Sequence, residues 1–144
     1  MTKEEITLRF FEKDNFVKGL NVEIVALTQA KAVVKVAVTE NCLNANGNAQ
    51  GGMLYTVADV AFAIHANYLH PKTVTQGGHI QYVRAAKTPY ITATAREITR
   101  SGHNTVSEVV ICDALENVLC VCTFNGFVKD VEWEELAAQM GENK

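Results

Sequence analysis

The segment Asn44-Ala-Asn-Gly47-Asn-Ala-Gln50-Gly51-Gly52-Met-Leu-Tyr-Thr-Val-Ala-Asp59 constrains the fold more than any other part of the chain. A polar, glycine-bearing loop runs directly into a stretch whose apolar residues lie on every side of a helix: Met53, Leu54, Val57, Ala58, Val60, Ala61, Phe62 and Ile64. A helix that is apolar all round is buried, so some other part of the chain must wrap it. From Gly51 to Tyr68 the only formal charge is Asp59. A buried carboxylate is costly unless partners compensate it. Asp59 therefore lies on a narrow wet stripe, at a subunit seam, or in a site that uses it.

The rest of the chain indicates what does the wrapping. Residues 4–14 read as a short amphipathic helix with Ile6, Leu8, Phe10 and Phe11 inward, ended by Gly19. Val22–Ala26 and the β-branched run Ala32–Val38 flank a turn at Gln29–Lys31 and predict a hairpin. The apolar helix spans about 51–68 and is closed by Pro71, which cannot continue it. Four strands follow at about 73–83, 90–100, 105–114 and 118–128, with turns at Gly102-His103-Asn104 and Glu116-Asn117. The tail 131–140 reads as a short helix. A curved antiparallel sheet of about six strands around one long helix is α+β architecture. With 144 residues, one domain over 1–144 is the simplest organisation.

Composition limits the function classes. A net charge of −3 argues against nucleic-acid binding, which favours basic surfaces. No apolar run approaches the roughly 20 residues of a membrane span, and the acidic N-terminus lacks export-signal character. A cytoplasmic location without membrane partners is expected. Cys42, Cys112, Cys120 and Cys122 form no C-x-x-C pair and have no histidine at zinc-finger spacing, so buried reduced thiols and no metal are expected. His65 and His70 read as helix-surface or satisfied core residues. His79, after Gly77-Gly78, reads as a bulge position.

The first amides of a helix have no internal partner and carry the positive end of its dipole. Gly51 and Gly52 let a ligand oxygen approach them, so this end can stabilise the oxyanion of acyl transfer; the plainer reading is close packing of the helix start. Asp59 lies about 12 Å further along the axis, whereas a base works within about 3 Å of its target. Gly51 and Asp59 of one chain therefore cannot flank one carbonyl. Two antiparallel copies of the helix can, and a homodimer with two shared sites follows.

On Asn44, Gly51, Gly52 and Asp59, the chain resembles the hotdog-fold acyl-CoA thioesterases of the PaaI-like (phenylacetate-degradation) group. Leu54-Tyr-Thr-Val-Ala-Asp59-Val-Ala-Phe62-Ala-Ile-His-Ala-Asn67 looks like that group's helix, and Thr73-Val-Thr75…Ile80-Gln-Tyr82-Val-Arg84 is similar to its next strand. The resemblance covers about residues 8–128. It implies that Gly51 donates to the thioester carbonyl, that Asp59 of the other subunit activates water or attacks directly, and that Asn44 and Thr75 place the thioester or water. Asn44 bracing its loop, and Thr75 as an ordinary strand residue, are the alternatives.

One position departs from the family pattern. Gln50 replaces the usual histidine before Gly-Gly; it can donate a hydrogen bond but cannot titrate near neutral pH. An acidic protein needs a local basic patch for the phosphates of coenzyme A, and Arg84, Lys87, Arg96, Arg100 and His103 are the candidates, with Arg100-Ser-Gly-His-Asn-Thr105 resembling the family's basic hairpin. Gly52, Tyr55, Phe62, Tyr68 and Tyr82 are candidate pocket walls. Coenzyme A is part of the substrate and no separate cofactor is implied. The expected function is hydrolysis of acyl-CoA, aromatic or medium-chain, by a homodimer that assembles to a tetramer. A non-catalytic acyl-CoA binder is the second reading and a hydratase or dehydratase the third.

Overall fold

The computed structural model describes residues 1–142. Helix α1 (Lys3–Phe11) begins in a capping box: Thr2 and Glu5 each bond the other's backbone amide, at 3.1 and 2.7 Å. The expected 4–14 helix ends early because Asp14 starts a new one. Its side chain accepts from the Val17 amide at 3.1 Å and caps the short α2 (Asn15–Lys18). Then come β1 (Glu23–Leu27), β2 (Ala32–Ala37) and a single 3-10 turn at Glu40–Cys42. The long helix α3 (Gly51–Leu69) is followed by β3 (Thr73–Tyr82), β4 (Tyr90–Ser101), β5 (Asn104–Asp113), β6 (Val118–Val128) and α4 (Trp133–Glu142).

The six strands form one sheet in the order β1-β2-β4-β5-β6-β3, and all paired neighbours are antiparallel. Turn chemistry sets the register. Ser101 pairs with Asn104, leaving Gly102 and His103 as a two-residue turn, and Gly102 has φ +57° as its first position requires. At the β5–β6 turn the Asp113 carboxylate accepts from the amides of Leu115 and Asn117, both at 2.9 Å. The expected bulge at His79 lies elsewhere. His79 pairs regularly with Thr123, and the register shifts between Thr75 and Gly77 instead.

The sheet wraps α3. Val34, Val36, Ile91, Ala93, Ala95, Val109, Ile111 and Phe124 turn inward along their strands against Val57, Ala58, Ala61 and Phe62, forming one buried core. Cys42, Cys120 and Cys122 are buried there, while Cys112 is half-buried. Phe62, expected as a pocket wall, is instead 1% exposed and stacks on Phe124 with ring centroids 5.4 Å apart. Gly126 makes room for it, since a Cβ there would lie 3.0 Å from the Phe62 ring. Among the described residues no helix is long and apolar enough to cross a membrane.

Candidate active site

Strand β3 is an edge strand, and it runs along one face of α3. Residues 51, 55 and 59 share that face because each step is one helical turn. Each meets β3 in order. The Thr75 hydroxyl donates to Asp59 Oδ1 at 2.9 Å. Tyr55 packs edge-on against Phe124, its hydroxyl lying where a Cβ on Gly78 would fall. The Tyr82 hydroxyl donates to the Gly51 carbonyl at 2.9 Å. The strand thus presents Asp59, Tyr55 and Gly51 in sequence at the open edge of the sheet.

Asp59 is half-buried. Burial raises its pKa above the ordinary carboxylate value; the Thr75 hydrogen bond opposes the shift and the negative charge of Asp14 adds to it. A carboxylate displaced upward in this way is a stronger base once ionised. The family resemblance places Thr75 by the water or the thioester; the structure brings its hydroxyl into contact with Asp59 itself. Asp14 was missed as a neighbour of Asp59. Read as a helix cap, it would have split 4–14 into two helices and drawn attention to that corner.

At the other end of the face, Gln50 is the N-cap of α3. Its side-chain carbonyl accepts from the Met53 amide at 3.0 Å, and its backbone carbonyl takes the Leu54 amide at 3.1 Å. The N–H groups of Gly51 and Gly52 make no hydrogen bond among the described residues, as the first two of a helix do not. The Gln50 side chain folds over Gly52, where a Cβ would lie 2.8 Å from Gln50 Oε1. That glycine is needed for the cap.

Beside Gly51 lies a cleft of about 310 Å³, lined by Asn44, Asn48, Gly51, Tyr82, Arg84 and Ala86 among others. Asn44 Oδ1 accepts from the amides of Asn46 and Asn48 at 2.9 and 3.1 Å, so its carbonyl side braces the loop. Only its Nδ2 remains for a ligand. Arg84 is exposed at the rim of this cleft. Two of the other basic candidates lie far away: α3 is about 28 Å long, and Arg100 and His103 gather at its far end. Arg100 donates to Asp130, to the Gly102 carbonyl and to His70 Nδ1, at 2.9, 3.1 and 2.9 Å. His103 stacks on Phe127 and bonds the Val128 carbonyl at 2.8 Å. Both brace the β4–β5 end of the sheet while remaining partly exposed. His65 is a core residue, with Nε2 3.2 Å from the Thr28 carbonyl and Nδ1 unpartnered.

No family model matches the chain. It does match curated relatives. It is 31% identical over 109 residues to the 1,4-dihydroxy-2-naphthoyl-CoA hydrolase of Listeria monocytogenes serotype 1/2a, covering 72% of this chain and 89% of that protein. It is 33% identical over 74 residues to the acyl-coenzyme A thioesterase PaaI of Escherichia coli K12, a match that spans about half of each, 51% of this chain and 53% of PaaI. The fold of the E. coli PaaI protein superposes with a TM-score of 0.82 at 24% identity, covering 88% of this chain and 93% of that one. A hypothetical thioesterase protein from Streptococcus pneumoniae TIGR4, solved with coenzyme A, gives a TM-score of 0.77 at 27% identity, covering 85% and 97%. With the six-stranded antiparallel sheet, the central helix and the relative matched over most of its length, the chain belongs to the PaaI-like hotdog-fold acyl-CoA thioesterases, a family of thioester hydrolases.

Proposed function

We propose that this protein hydrolyses an acyl-CoA to the free acid and coenzyme A at a site shared by two subunits. The observation that carries the reading is the order of contacts along β3: Thr75 with Asp59, Gly78 with Tyr55, Tyr82 with Gly51. A ten-residue edge strand, paired with β6 on one side only, is a template for another strand. A second copy pairing antiparallel with β3 about its midpoint, near Gly78, exchanges the Thr75 end with the Tyr82 end. The partner's Asp59 then approaches the Gly51 end, which one helix alone cannot achieve. Assembly to a tetramer is a further step of the same proposal.

At that site the free amides of Gly51 and Gly52 hold the thioester carbonyl oxygen and take up its developing negative charge. Asp59 of the opposing chain, aligned by Thr75, removes a proton from water as the water oxygen bonds to the carbonyl carbon. Collapse of the tetrahedral intermediate breaks the C–S bond, and the proton goes to the departing sulfur. Asn44 Nδ2 and Tyr82 bound the cleft beside Gly51, and Arg84 offers a charge to a coenzyme A phosphate. Gln50 acts as a helix cap, which holds the amides in place and requires no titration.

Gln50 also favours a second reading, an acyl-CoA binder without turnover, because the usual histidine is absent. Release of free thiol from a panel of acyl-CoA thioesters by the purified protein decides between them. Turnover that depends on Asp59 supports hydrolysis; tight binding of every thioester without thiol release overturns it.

A further inference from the structure

The two free amides at the start of α3 are not equivalent, because their peptide units carry different loads at the carbonyl end. The Gly51 N–H shares a peptide unit with the Gln50 carbonyl, and the Gly52 N–H with the Gly51 carbonyl. The Gln50 carbonyl takes the Leu54 amide at 3.1 Å and no second donor among the described residues. The Gly51 carbonyl takes the amide four residues on in the helix ladder, that of Tyr55, and also the Tyr82 hydroxyl at 2.9 Å. Both of its lone pairs are therefore used. Glycine at 51 allows this approach, since a Cβ there would crowd the Tyr82 ring and hydroxyl at 3.3 Å. Tyr82 is held as the last residue of β3, paired with Cys120, and the amides of Val83 and Arg84 beyond it both reach the Leu119 carbonyl, at 2.7 and 3.2 Å. Burial pushes its phenol pKa above the ordinary 10, with Cys120, Cys122 and Tyr55 adding to the shift, so the hydroxyl stays a donor.

We propose that Tyr82 is a positioning residue for the hydrolysis, acting through the Gly51–Gly52 peptide to strengthen the Gly52 N–H as a donor to the thioester carbonyl oxygen. The inference rests on the thioester-hydrolysis reading. A peptide unit is conjugated, with its oxygen and its hydrogen on opposite sides of the C–N bond. A donor on the oxygen draws electron density from the nitrogen and leaves the hydrogen more positive. Hydrogen bonds linked in this way strengthen one another by about 10–30%. The Tyr82 proton stays on its own oxygen throughout, and no bond to it is broken. As water adds to the thioester, the carbonyl oxygen becomes an oxyanion, and the strengthened donor gains most against that charge. An interaction stronger in the transition state than in the ground state raises kcat rather than lowering KM. Loss of a whole oxyanion donor costs about 10²–10³ in kcat, so this fraction of one bond amounts to roughly two- to eightfold.

The test grades the donor strength of residue 82 and reads both turnover and the bound carbonyl. Tyr82→Phe keeps the ring and removes the hydroxyl; mono- and difluorotyrosine at the same position keep the bond and make the phenol a progressively stronger donor. With octanoyl- and phenylacetyl-CoA, at a pH where every phenol stays protonated, kcat should rise in the order Phe, Tyr, fluorotyrosine, difluorotyrosine. Tyr82→Phe should lower kcat roughly two- to eightfold and change KM by less than about twofold. The same four residues are then placed in the Asp59→Asn background, and the infrared stretch of an isotopically labelled thioester carbonyl is recorded on the bound octanoyl-CoA. Its frequency should fall in the same order, which needs no turnover. If Tyr82 only braces the helix start, Tyr82→Phe lowers Tm while fluorination moves neither kcat nor the stretch, and the proposal is overturned. It is overturned equally if KM, rather than kcat, carries the effect, since the hydroxyl would then bind the substrate directly. A graded carbonyl shift without thiol release from the wild type would overturn hydrolysis and leave the role of Tyr82 standing.

Discussion

Replacing Asp59 by asparagine should stabilise the folded protein at neutral pH while removing its activity. Two effects oppose each other. Asparagine keeps an oxygen acceptor for Thr75, but a hydrogen bond to a neutral acceptor contributes about 1 kcal/mol less than one to a carboxylate. Against that loss stands the desolvation of a half-buried charge on an otherwise apolar helix. Asp59's pKa is raised with desolvation as the leading cause, so the desolvation outweighs the Thr75 bond. The Asn variant should therefore be more stable at pH 7, by no more than about 1 kcal/mol because the half-exposed carboxylate keeps much of its hydration, a rise of a few degrees in Tm for a chain of this length.

The sign of the pH dependence follows from linkage. A carboxyl whose folded pKa lies above its unfolded value of 3.8 gives stability fully present below pH 3.8 and lost as pH rises through the folded pKa. Wild type and Asn variant should thus converge in acid and diverge toward neutrality. Urea unfolding of both at pH 4.5 and pH 7 measures this directly, and comparison at each pH cancels every other titrating group. Turnover should fall about 10²–10⁴-fold, the usual contribution of a general base. An Asn variant less stable than wild type at pH 7, or a gap of the same size at both pH values, would refute the reasoning.

Burial is the chief cause of Asp59's raised pKa and the Asp14 charge adds to it; Asp14→Asn keeps the α2 cap but removes that charge, so the acid limb of the kcat/KM profile should move slightly to lower pH, and an unmoved limb would separate Asp14 from the site. His65 pulls stability the opposite way to Asp59. Its pKa is lowered, chiefly by burial, so wild type should lose stability as pH falls below the ordinary 6.5, and His65→Phe should flatten that part of the Tm profile. Mixing inactive Asp59→Ala chains with inactive Gly51→Val chains should restore up to about half of wild-type activity per mixed dimer, since one of the two sites then carries neither lesion. Subunit exchange confirmed by mass without returning activity would exclude a shared site. Gln50→His should retain activity, because histidine's ring nitrogen can accept the Met53 amide in the same way. A large fall in turnover would assign Gln50 a role beyond the cap.

The elements that carried their own periodicity were legible in the sequence. β6 lies at 118–128 as expected, and α3 at Gly51–Leu69 extends one residue past the expected helix. An apolar helix and strands bounded by Gly102-His103 or Asp113–Asn117 leave few alternatives, since the local pattern and the tertiary burial agree. Residues whose surroundings come from distant strands were not legible. Phe62 reads equally well as pocket wall or core, and only the register placing Gly126 opposite Thr75 decides for the core. Arg100 and His103 look like unengaged side chains in a hairpin until Asp130, far along the chain, closes on them.

The site itself stands between these cases. The spacing of Gly51 and Asp59, too long for one helix to bring both to one carbonyl, is the premise of the proposed shared site, an argument from helix rise that needs no coordinates. What the sequence could not supply was the strand connecting them. Thr75, Gly78 and Tyr82 have no common period, because the register shift between Thr75 and Gly77 changes which residues face α3. That irregularity lets one edge strand hold the carboxylate at one end, cover the helix N-terminus at the other, and leave its own edge open for a second copy.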